Sequence, residues 1–283
     1  MISVIIPAYQ EEAVIGGCLG ALVAQTVLAD RACAVEAIVV ANGSTDRTAE
    51  IARAWVAPAS KAGLRLEVVE LTAPGKAQAL NEGDRRASGS IRVYLDADVI
   101  CGPGLLRDLS SALATDAPRF ASGELTIRPP QSAVSRAYGR VWTALPFVRD
   151  GVAGCGLYAV NAAGRRRWGA FPAIHSDDKF VRLCFAPEER VQVPSRYLWP
   201  LPEGLRNLVR VRRRWCEGNL ELRRCFPELE RNNGPGRRLS QSLRRALNLN
   251  PIDLTVFSAV YALASGLARL TPAGSHVHWR RGR

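Results

Sequence analysis

Two pairs of aspartates are the side chains of this sequence best suited to chemistry. Asp96 and Asp98 lie two positions apart, directly after the apolar run from Ile91 to Leu95. In an extended backbone such residues point to the same side, so both carboxylates can approach one cation. Mg²⁺ uses one or two protein carboxylates together with phosphate oxygens, so the pair predicts a shared metal and phosphate site. A polar turn that closes a buried strand is the alternative interpretation.

The second pair, Asp177 and Asp178, follows Ser176, a residue type that caps helices. Acidic residues are stabilising near the positive N-terminal end of a helix, so a purely structural role explains this pair as well. The functional alternative is a general base, a carboxylate that takes a proton from an acceptor hydroxyl within hydrogen-bond reach. The residues alone leave both interpretations open.

Other polar residues are suited to binding a nucleotide. Gly75 and Lys76 can hold a phosphate, although the sequence lacks the spacing of a P-loop and the G-x-G-x-x-G of a dinucleotide site. A dinucleotide oxidoreductase is therefore disfavoured. Residues 7–11 and the Asn42 amide can pair with the edge of a base, whereas Asn42-Gly43 alone is typical of a turn.

A basic and aromatic run, Arg210 and Arg212 to Trp215, lies on a helix predicted over residues 204–224. Most of these arginines fit a solvated or lipid-facing surface. One of them, Arg214 beside Trp215, can bind a phosphate through a bidentate guanidinium fork.

The elements that must position these residues alternate between strand and helix. The predicted strands are Ile2 to Ile6, ended by Pro7, and then 35–40, 64–71 and 91–95, with helices over 11–25, after 44–45 and over 76–87. This order predicts an α/β fold with a mostly parallel sheet flanked by helices, whose ligands bind at the carboxyl ends of the strands. Residues 7–12, 41–46, 73–76 and 96–98 all lie at those ends.

The pattern becomes mixed after residue 118. It comprises a strand-like segment 119–127, a helix-like segment 132–147, a glycine-rich segment 151–156 and the helix that carries Asp177 and Asp178. We expect this half of the chain to cap the sheet. A break at Asn232 to Gly236 precedes the C-terminal segment.

Composition excludes several classes of protein. The 283 residues are 47% hydrophobic and 23% charged, which is ordinary for a packed chain and excludes a disordered, collagen-like or coiled-coil protein. The N-terminus has no basic segment before its apolar run, so we expect no secretory signal. The seven cysteines include no C-x-x-C pair, so the sequence predicts neither a zinc knuckle nor a disulfide framework. A reducing compartment is the expected location.

Charge is concentrated near the C-terminus. The net charge is +12, and residues 201–283 hold 16 arginines against 6 acidic residues. An uncharged run from Leu254 to Ala268 follows, shorter than the ~20 residues of an upright membrane span. Segment 251–270 can be a tilted span, an interfacial helix or a buried helix. We favour membrane association, because basic residues suit an anionic leaflet, although the arginines at 280, 281 and 283 argue against a clean span.

Six segments, taken in chain order, resemble one family of enzymes. They are 3–12 (SVIIPAYQEE), 41–46 (ANGSTD), 75–81 (GKAQALN), 95–98 (LDAD), Asp177-Asp178 and Arg214-Trp215. Together they resemble the family-two inverting glycosyltransferases of the GT-A fold, over residues 1 to about 220. The resemblance implies one catalytic domain with a nucleotide-sugar-binding half (1–118) and an acceptor-side half (119–230). Composition adds a basic and apolar C-terminal helical extension over 231–283.

The resemblance also implies a donor, a cofactor and roles for residues. The donor is a nucleotide-sugar, most often a UDP-sugar, and the cofactor is Mg²⁺ or Mn²⁺. The implied positions are Pro7, Tyr9, Glu11 and Asn42 around the nucleoside, Lys76 and Asp96 near the ribose or diphosphate, Asp98 with Asp96 at the metal, Asp178 as the base after Asp177, and Arg214-Trp215 at the end of the family's Gln-x-x-Arg-Trp element.

Three departures from the family pattern qualify these roles. Ala41-Asn42 replaces the usual acidic pair, so the nucleobase contact loses its charge. Val211 stands where processive polysaccharide synthases keep Gln, and the chain lacks their several membrane spans, which favours transfer of a single sugar. Asp177 replaces a Glu, which leaves open which aspartate of the pair is the base.

The predicted function is therefore metal-dependent, inverting transfer of one sugar to an acceptor hydroxyl on a glycan or a lipid carrier. We expect a cytoplasmic protein that can attach to the inner face of the cell membrane. Nucleic acid is not an expected partner, because it would require aromatic residues interleaved with basic loops, whereas these arginines cluster beside an apolar segment. Two alternatives are an inactive GT-A-like protein that binds a nucleotide or a membrane, and a metal-dependent nucleotidyltransferase.

Overall fold

The computed structural model describes residues 1–30, 33–149, 151–233 and 250–270. Of the features predicted above, Gly234 to Gly236 of the break and the arginines at 280, 281 and 283 lie outside the described residues. One eight-stranded sheet forms the centre of the described chain, in the order β3-β2-β1-β4-β7-β6-β8-β5. Its strands are β1 (Ile2–Ala8), β2 (Val35–Asn42), β3 (Leu64–Leu71), β4 (Ile91–Leu95), β5 (Ile100–Cys101), β6 (Phe120–Ile127), β7 (Leu157–Asn161) and β8 (Arg190–Trp199).

Helices cover both faces of this sheet. They are α1 (Ile15–Val23), α2 (Thr26–Ala29), α3 (Thr48–Ala54), α4 (Val56–Lys61), α5 (Lys76–Arg86), α6 (Leu105–Leu113), α7 (Ala133–Thr143), α8 (Pro146–Arg149), α9 (Ala162–Arg165), α10 (Asp177–Leu183), α11 (Gly204–Cys225) and α12 (Pro251–Arg269). Short 3₁₀ helices occupy Pro187–Glu189 and Pro227–Asn233.

The first four strands form the parallel half, as the alternating pattern predicts. Every residue of β1 and β2 is buried, because α1 packs on one face of β1 and α5 on the other. Val4 and Ile6 join the cluster that contains α1, whereas Ile5 packs against Leu80 of α5. Burial on both faces is why these strands are continuous apolar runs.

The prediction that Pro7 ends the first strand is wrong, since β1 continues to Ala8. On one side, β1 pairs with β2 as far as Ala8. On the other side, pairing with β4 stops at Ile5, opposite Tyr94. Because the pairing with β4 does not reach Pro7, a residue without an N–H is tolerated there.

The second half extends the sheet with reversed and mixed pairing. β7 runs antiparallel to β4 and β6, and β6 runs parallel to β8. The strand and helices predicted after residue 118 are present as β6, α7, α10 and α11. This half closes over the carboxyl ends of β1 and β4, where the polar loops of the first half meet.

Candidate active site

A cavity of about 580 Å³ lies where the two halves of the chain meet. It brings together predicted site residues that are far apart in the sequence: Pro7, Glu11, Lys76, Asp96, Asp98, Asp177, Asp178, Arg214 and Trp215. Of the predicted nucleoside contacts, Tyr9 and Asn42 do not line it. Val211, at the position of the family's Gln, does line it.

The loop after β4 places Asp96 and Asp98 in the cavity wall. The Asp96 backbone N–H donates to the Gly156 carbonyl at 2.8 Å, which ties the end of β4 to the glycine-rich segment before β7. Both aspartates are half-buried and reach the cavity. Two hard oxygen ligands beside an open space fit a Mg²⁺ or Mn²⁺ ion that completes its coordination with phosphate oxygens and water. Within the described ranges, no cluster of three or more His, Cys, Asp or Glu residues forms a complete protein cage for a metal.

Lys76 links the two aspartate pairs. Its Nζ lies 2.9 Å from Asp96 Oδ1 and 3.1 Å from Asp177 Oδ1. Burial disfavours the charged ammonium, but the attraction of Asp177 and Asp96 outweighs burial and raises the pKa of Lys76. A permanent cation therefore sits between the carboxylate that ends β4 and the carboxylate that begins α10.

Asn42 positions Lys76 from behind the cavity. Its amide Nδ2 donates to the Ala8 carbonyl at 2.9 Å, and its Oδ1 accepts the Gly75 N–H at 3.0 Å. The side chain therefore ties the ends of β1 and β2 to the turn that starts α5. This differs from the predicted nucleoside contact, because Asn42 is 1% exposed and its amide already bonds backbone atoms.

Gly43 allows this arrangement. Its φ of +65° is in the left-handed region that favours glycine. A Cβ at this position would lie 2.6 Å from the Pro74 nitrogen, so only glycine lets the turn after β2 approach the loop before α5 so closely.

Asp177 and Asp178 occupy the first turn of α10, at its positive end. Ser176 precedes them but makes no side-chain capping bond. Burial, together with the negative charge of Asp177, raises the pKa of Asp178 to about 6, while Lys76 opposes the shift. Burial also raises the pKa of Asp177, and the ion pair with Lys76 acts against that rise. A pKa near 6 suits a general base near neutral pH, and Asp177 differs from Asp178 in its ion pair with Lys76.

Arg214 and Trp215 reach the cavity from α11. Burial lowers the pKa of Arg214 below its usual value, and the neighbouring charges of Asp96, Asp177 and Asp178 act against that shift. The Trp215 ring stacks on Trp199, with centroids 5.9 Å apart, and Trp199 stacks on the buried Trp142 at 5.1 Å. Trp199 also lines the cavity, so the wall that Trp199 and Trp215 form is aromatic.

Sequence reasoning missed that α11 holds the segment carrying the aspartates. The His175 N–H donates to Glu221 Oε2 at 2.9 Å, and His175 Nδ1 lies 3.1 Å from the same oxygen. Lys179 Nζ donates to Asn219 Oδ1 at 2.7 Å. Residues 175–179 are therefore bound on both sides of the aspartate pair by one helix. Asn219 and Glu221 are two positions apart and do not share a helix face, so no local pattern in the sequence indicated this contact.

Gly218 lets α11 approach this segment, and its substitution gives a testable prediction. A Cβ on Gly218 would lie 2.2 Å from Ser176 Oγ and 3.1 Å from His175 Cβ. The hydroxyl can rotate, but the His175 contact forces the helix and the segment apart. We expect Gly218→Ala to destabilise the fold by about 1–3 kcal/mol. The fold-decrease in kcat should be larger than the fold-change in the KM for the donor.

Gly266→Ala is the matched control for that measurement. Gly266 is also inside a helix, α12, and a Cβ there meets nothing within 4 Å. This change should stabilise the protein by roughly 0.5–1 kcal/mol, as alanine does in exposed helices. Chemical denaturation and steady-state kinetics distinguish the two variants. Equal stability and kcat in wild type and Gly218→Ala would show that the close contact is not required.

The sequence also did not indicate the residues at the far end of the cavity. That end is formed by the loops before α7 and before α11, with Arg128, Gln131, Pro202, Glu203 and Asn207 in its wall. The Glu203 carboxylate accepts the backbone N–H groups of Gln131 and Ser132, at 2.8 and 2.9 Å, and so joins the two loops.

A mixed sheet of this order, with two aspartates after the fourth strand and a capping half that brings a second acidic pair to the same cavity, is the GT-A fold. The model of glycosyl transferase family 2 matches residues 3–168, which is more than half of the chain. The chain therefore belongs to glycosyl transferase family 2, and the resemblance seen in the sequence motifs is confirmed.

Individual relatives agree with this family. The glycosyltransferase AglE of Haloferax volcanii is 41% identical over 103 residues, which are 36% of this chain and 31% of AglE. Among solved structures, a mannosyltransferase from Pyrobaculum calidifontis, in complex with GDP-Man and Mn²⁺, has a TM-score of 0.60 at 24% identity, covering 96% of this chain and 76% of that chain. Glucosyl-3-phosphoglycerate synthase from Mycobacterium tuberculosis has a TM-score of 0.52 at 24% identity, covering 84% and 81%. The match to AglE spans less than a third of that relative's length.

Proposed function

We propose that this protein transfers one sugar from a nucleotide-sugar to an acceptor hydroxyl, with inversion at the anomeric carbon and with help from a divalent metal. The observation that carries the proposal is that one cavity holds both aspartate pairs, joined by Lys76. The pair after β4 is suited to the diphosphate side of a donor. The pair at the start of α10 is suited to the acceptor side.

In the proposed reaction, the oxygen of the acceptor hydroxyl attacks the anomeric carbon from the face opposite the nucleoside diphosphate. A new carbon–oxygen bond forms as the bond from that carbon to the diphosphate oxygen breaks, and the leaving group keeps the electron pair. The proton of the acceptor passes to the Asp178 carboxylate, which acts as general base. One displacement on one face leaves the sugar with inverted configuration.

Asp98 and Asp96 are the proposed ligands of Mg²⁺ or Mn²⁺. Such an ion supplies positive charge that stabilises the departing diphosphate. Lys76 and Arg214 line the same cavity and add cationic groups of the protein itself. Arg214 can form the planar, bidentate contact with phosphate oxygens that lysine cannot form.

The donor and the acceptor are proposed by class. Pro7 and Glu11 line the cavity where a nucleoside of a UDP-sugar would lie. Solved relatives support a nucleotide donor and a metal, since one was determined with GDP-Man and Mn²⁺ and another with UDP and Mn²⁺. Val211 at the position of the synthases' Gln supports transfer of one sugar. We propose a glycan or lipid-linked acceptor, at the inner face of the cell membrane.

Product analysis tests this function. Incubation with a labelled UDP-sugar, Mn²⁺ and candidate acceptors should release UDP and give a product of inverted anomeric configuration by NMR. Asp98→Ala should lose the metal-dependent rate, because one of two ligands is gone. Release of pyrophosphate would identify a nucleotidyltransferase, and a product with retained configuration would exclude direct displacement.

A further inference from the structure

The helix α12 packs against the domain by one face. This face carries Val260, Ala264 and Ala268, which are four positions apart and are 0%, 0% and 4% exposed. At its start, the Asp253 carboxylate accepts two hydrogen bonds from the Arg140 guanidinium of α7, both at 2.6 Å. Phe257 stacks on Tyr138 of α7, with centroids 5.0 Å apart. The helix is therefore docked along most of its length.

A second face of α12, beside the buried one, is apolar and exposed, and it continues to Leu270 just after the helix ends. Ile252, Leu263 and Leu270 are 69%, 53% and 80% exposed. From residue 259 to residue 270 the exposed positions are Ala259, Tyr261, Ala262, Leu263, Gly266, Leu267, Arg269 and Leu270, with a single charge among them. A helix on an aqueous surface normally turns polar residues outward, so this outward face fits an apolar partner.

Packing argues against a membrane-spanning role for α12. Among the described residues, α12 is the helix long and apolar enough to cross a membrane by length and composition. Its 19 residues rise about 28 Å, close to the hydrocarbon thickness. However, α12 packs along α11 over successive turns. Tyr261 contacts Arg212 through its ring, and Ser265, one turn later, contacts Cys216, also one turn later. Spanning would require α12 to leave both helices and to break the ion pair with Arg140.

The surface around α12 is cationic. Apart from Arg214, which lines the cavity, and Arg223, which is paired with Glu230, the three helices α7, α11 and α12 carry arginines at 136, 140, 206, 210, 212, 213, 224 and 269, and acids only at Glu217, Glu221 and Asp253. Each of these acids has a basic partner: Arg213 at 2.8 Å, His175 at 3.1 Å and Arg140 at 2.6 Å. The remaining charge attracts the anionic headgroups of a lipid surface.

We propose that α12 lies in the headgroup region of an anionic membrane, with its outward apolar face in the lipid and its inner face still packed on α7 and α11. This inference rests on the proposed function only where it names the acceptor. Both α7 and α11 begin at the loops that form the far end of the cavity, joined by Glu203. A membrane under α12 therefore places lipid-anchored hydroxyls on the acceptor side of the site.

Flotation with lipid vesicles tests the docking of the full chain. We expect binding to phosphatidylcholine vesicles that contain phosphatidylglycerol, and weaker binding to pure phosphatidylcholine or at high salt. The double variant Leu263→Gln with Leu270→Gln should bind at least about tenfold more weakly, because two apolar side chains no longer enter the lipid. Val56→Gln is the matched control: Val56 is 40% exposed on α4, a helix that packs against β3 at the other edge of the sheet, and its loss should not change binding.

Three results would overturn the proposal. Wild-type protein that floats with neither type of vesicle contradicts it, as does a double variant that floats as wild type does. A wild-type dimer that the double variant dissociates, without vesicle binding, would assign the face to a second copy of the chain. Hydrolysis of the donor in solution should be unchanged in the double variant. Since flotation needs no sugar transfer, failure of docking and failure of the proposed function are observed separately.

Discussion

Asp178→Asn should lower kcat by about 10²–10⁴-fold while leaving the donor dissociation constant close to that of wild type. Asparagine keeps the size and shape of the side chain but cannot take the proton of the acceptor hydroxyl. Donor binding should survive because Asp178 is not among the proposed ligands of the diphosphate or the metal. Transfer assays and calorimetric titration of the donor measure the two quantities.

The pH profile of the wild type provides a second measure of the same base. Because burial raises the pKa of Asp178 to about 6, kcat/KM should fall about tenfold per pH unit below that value. Asp177→Asn is the matched variant, since Asp177 is paired with Lys76 and should affect the rate less. An active Asp178→Asn together with an inactive, folded Asp177→Asn would reverse the assignment of the base.

Lys76→Met should destabilise the fold by roughly 3 kcal/mol at pH 8, because it leaves the Asp96 and Asp177 carboxylates without their shared cation. The donor KM should also rise, since a cation beside the proposed diphosphate site is lost. The loss of stability should be smaller at pH 5. Lys76 opposes the rise in the pKa of the buried Asp177, so its removal raises that pKa further. The variant therefore binds a proton in the folded state at a higher pH than wild type does, and it regains stability relative to wild type as the pH falls.

Lys61→Met is the control for that measurement. Lys61 is exposed at the end of α4, and the same substitution there should change the unfolding free energy by less than about 0.5 kcal/mol. Urea denaturation at the two pH values gives the comparison. If Lys76→Met unfolds at pH 8 with the free energy of wild type, Lys76 does not act as the counter-charge of the two carboxylates.

Local patterns were sufficient for the parallel half of the fold. Strands 64–71 and 91–95 have the predicted bounds, because turn signals flank both of them: Gly63 and Pro74-Gly75 flank the first, and Gly89 and Asp96 flank the second. The location of the site followed from the topology, since parallel strands end at one edge of a sheet. For this reason Asp96 and Lys76 could be placed near each other although 20 positions separate them in the sequence.

Long-range pairing could not be read from local patterns. β7 is inserted between β4 and β6 with Ile91 opposite Asn161, and nothing in its five residues specifies that partner. The same limit applies to Asn42. An Asn-Gly turn predicts its own conformation, but its bonds to Ala8 and Gly75 depend on where other elements lie.

Residues 175–179 are held by hydrogen bonds to α11. This contact divides the enzyme into two parts, residues up to 168 and residues from 169 onward. The family match ends at residue 168, before both the acidic pair of α10 and the helix that secures it. Residues 175–179 and α11 therefore form one packed unit outside the matched region, and we expect that unit to work only as a whole. A chimera between relatives should accordingly exchange residues 169–225 as one block, since a crossover inside it would unite a base segment with a foreign helix.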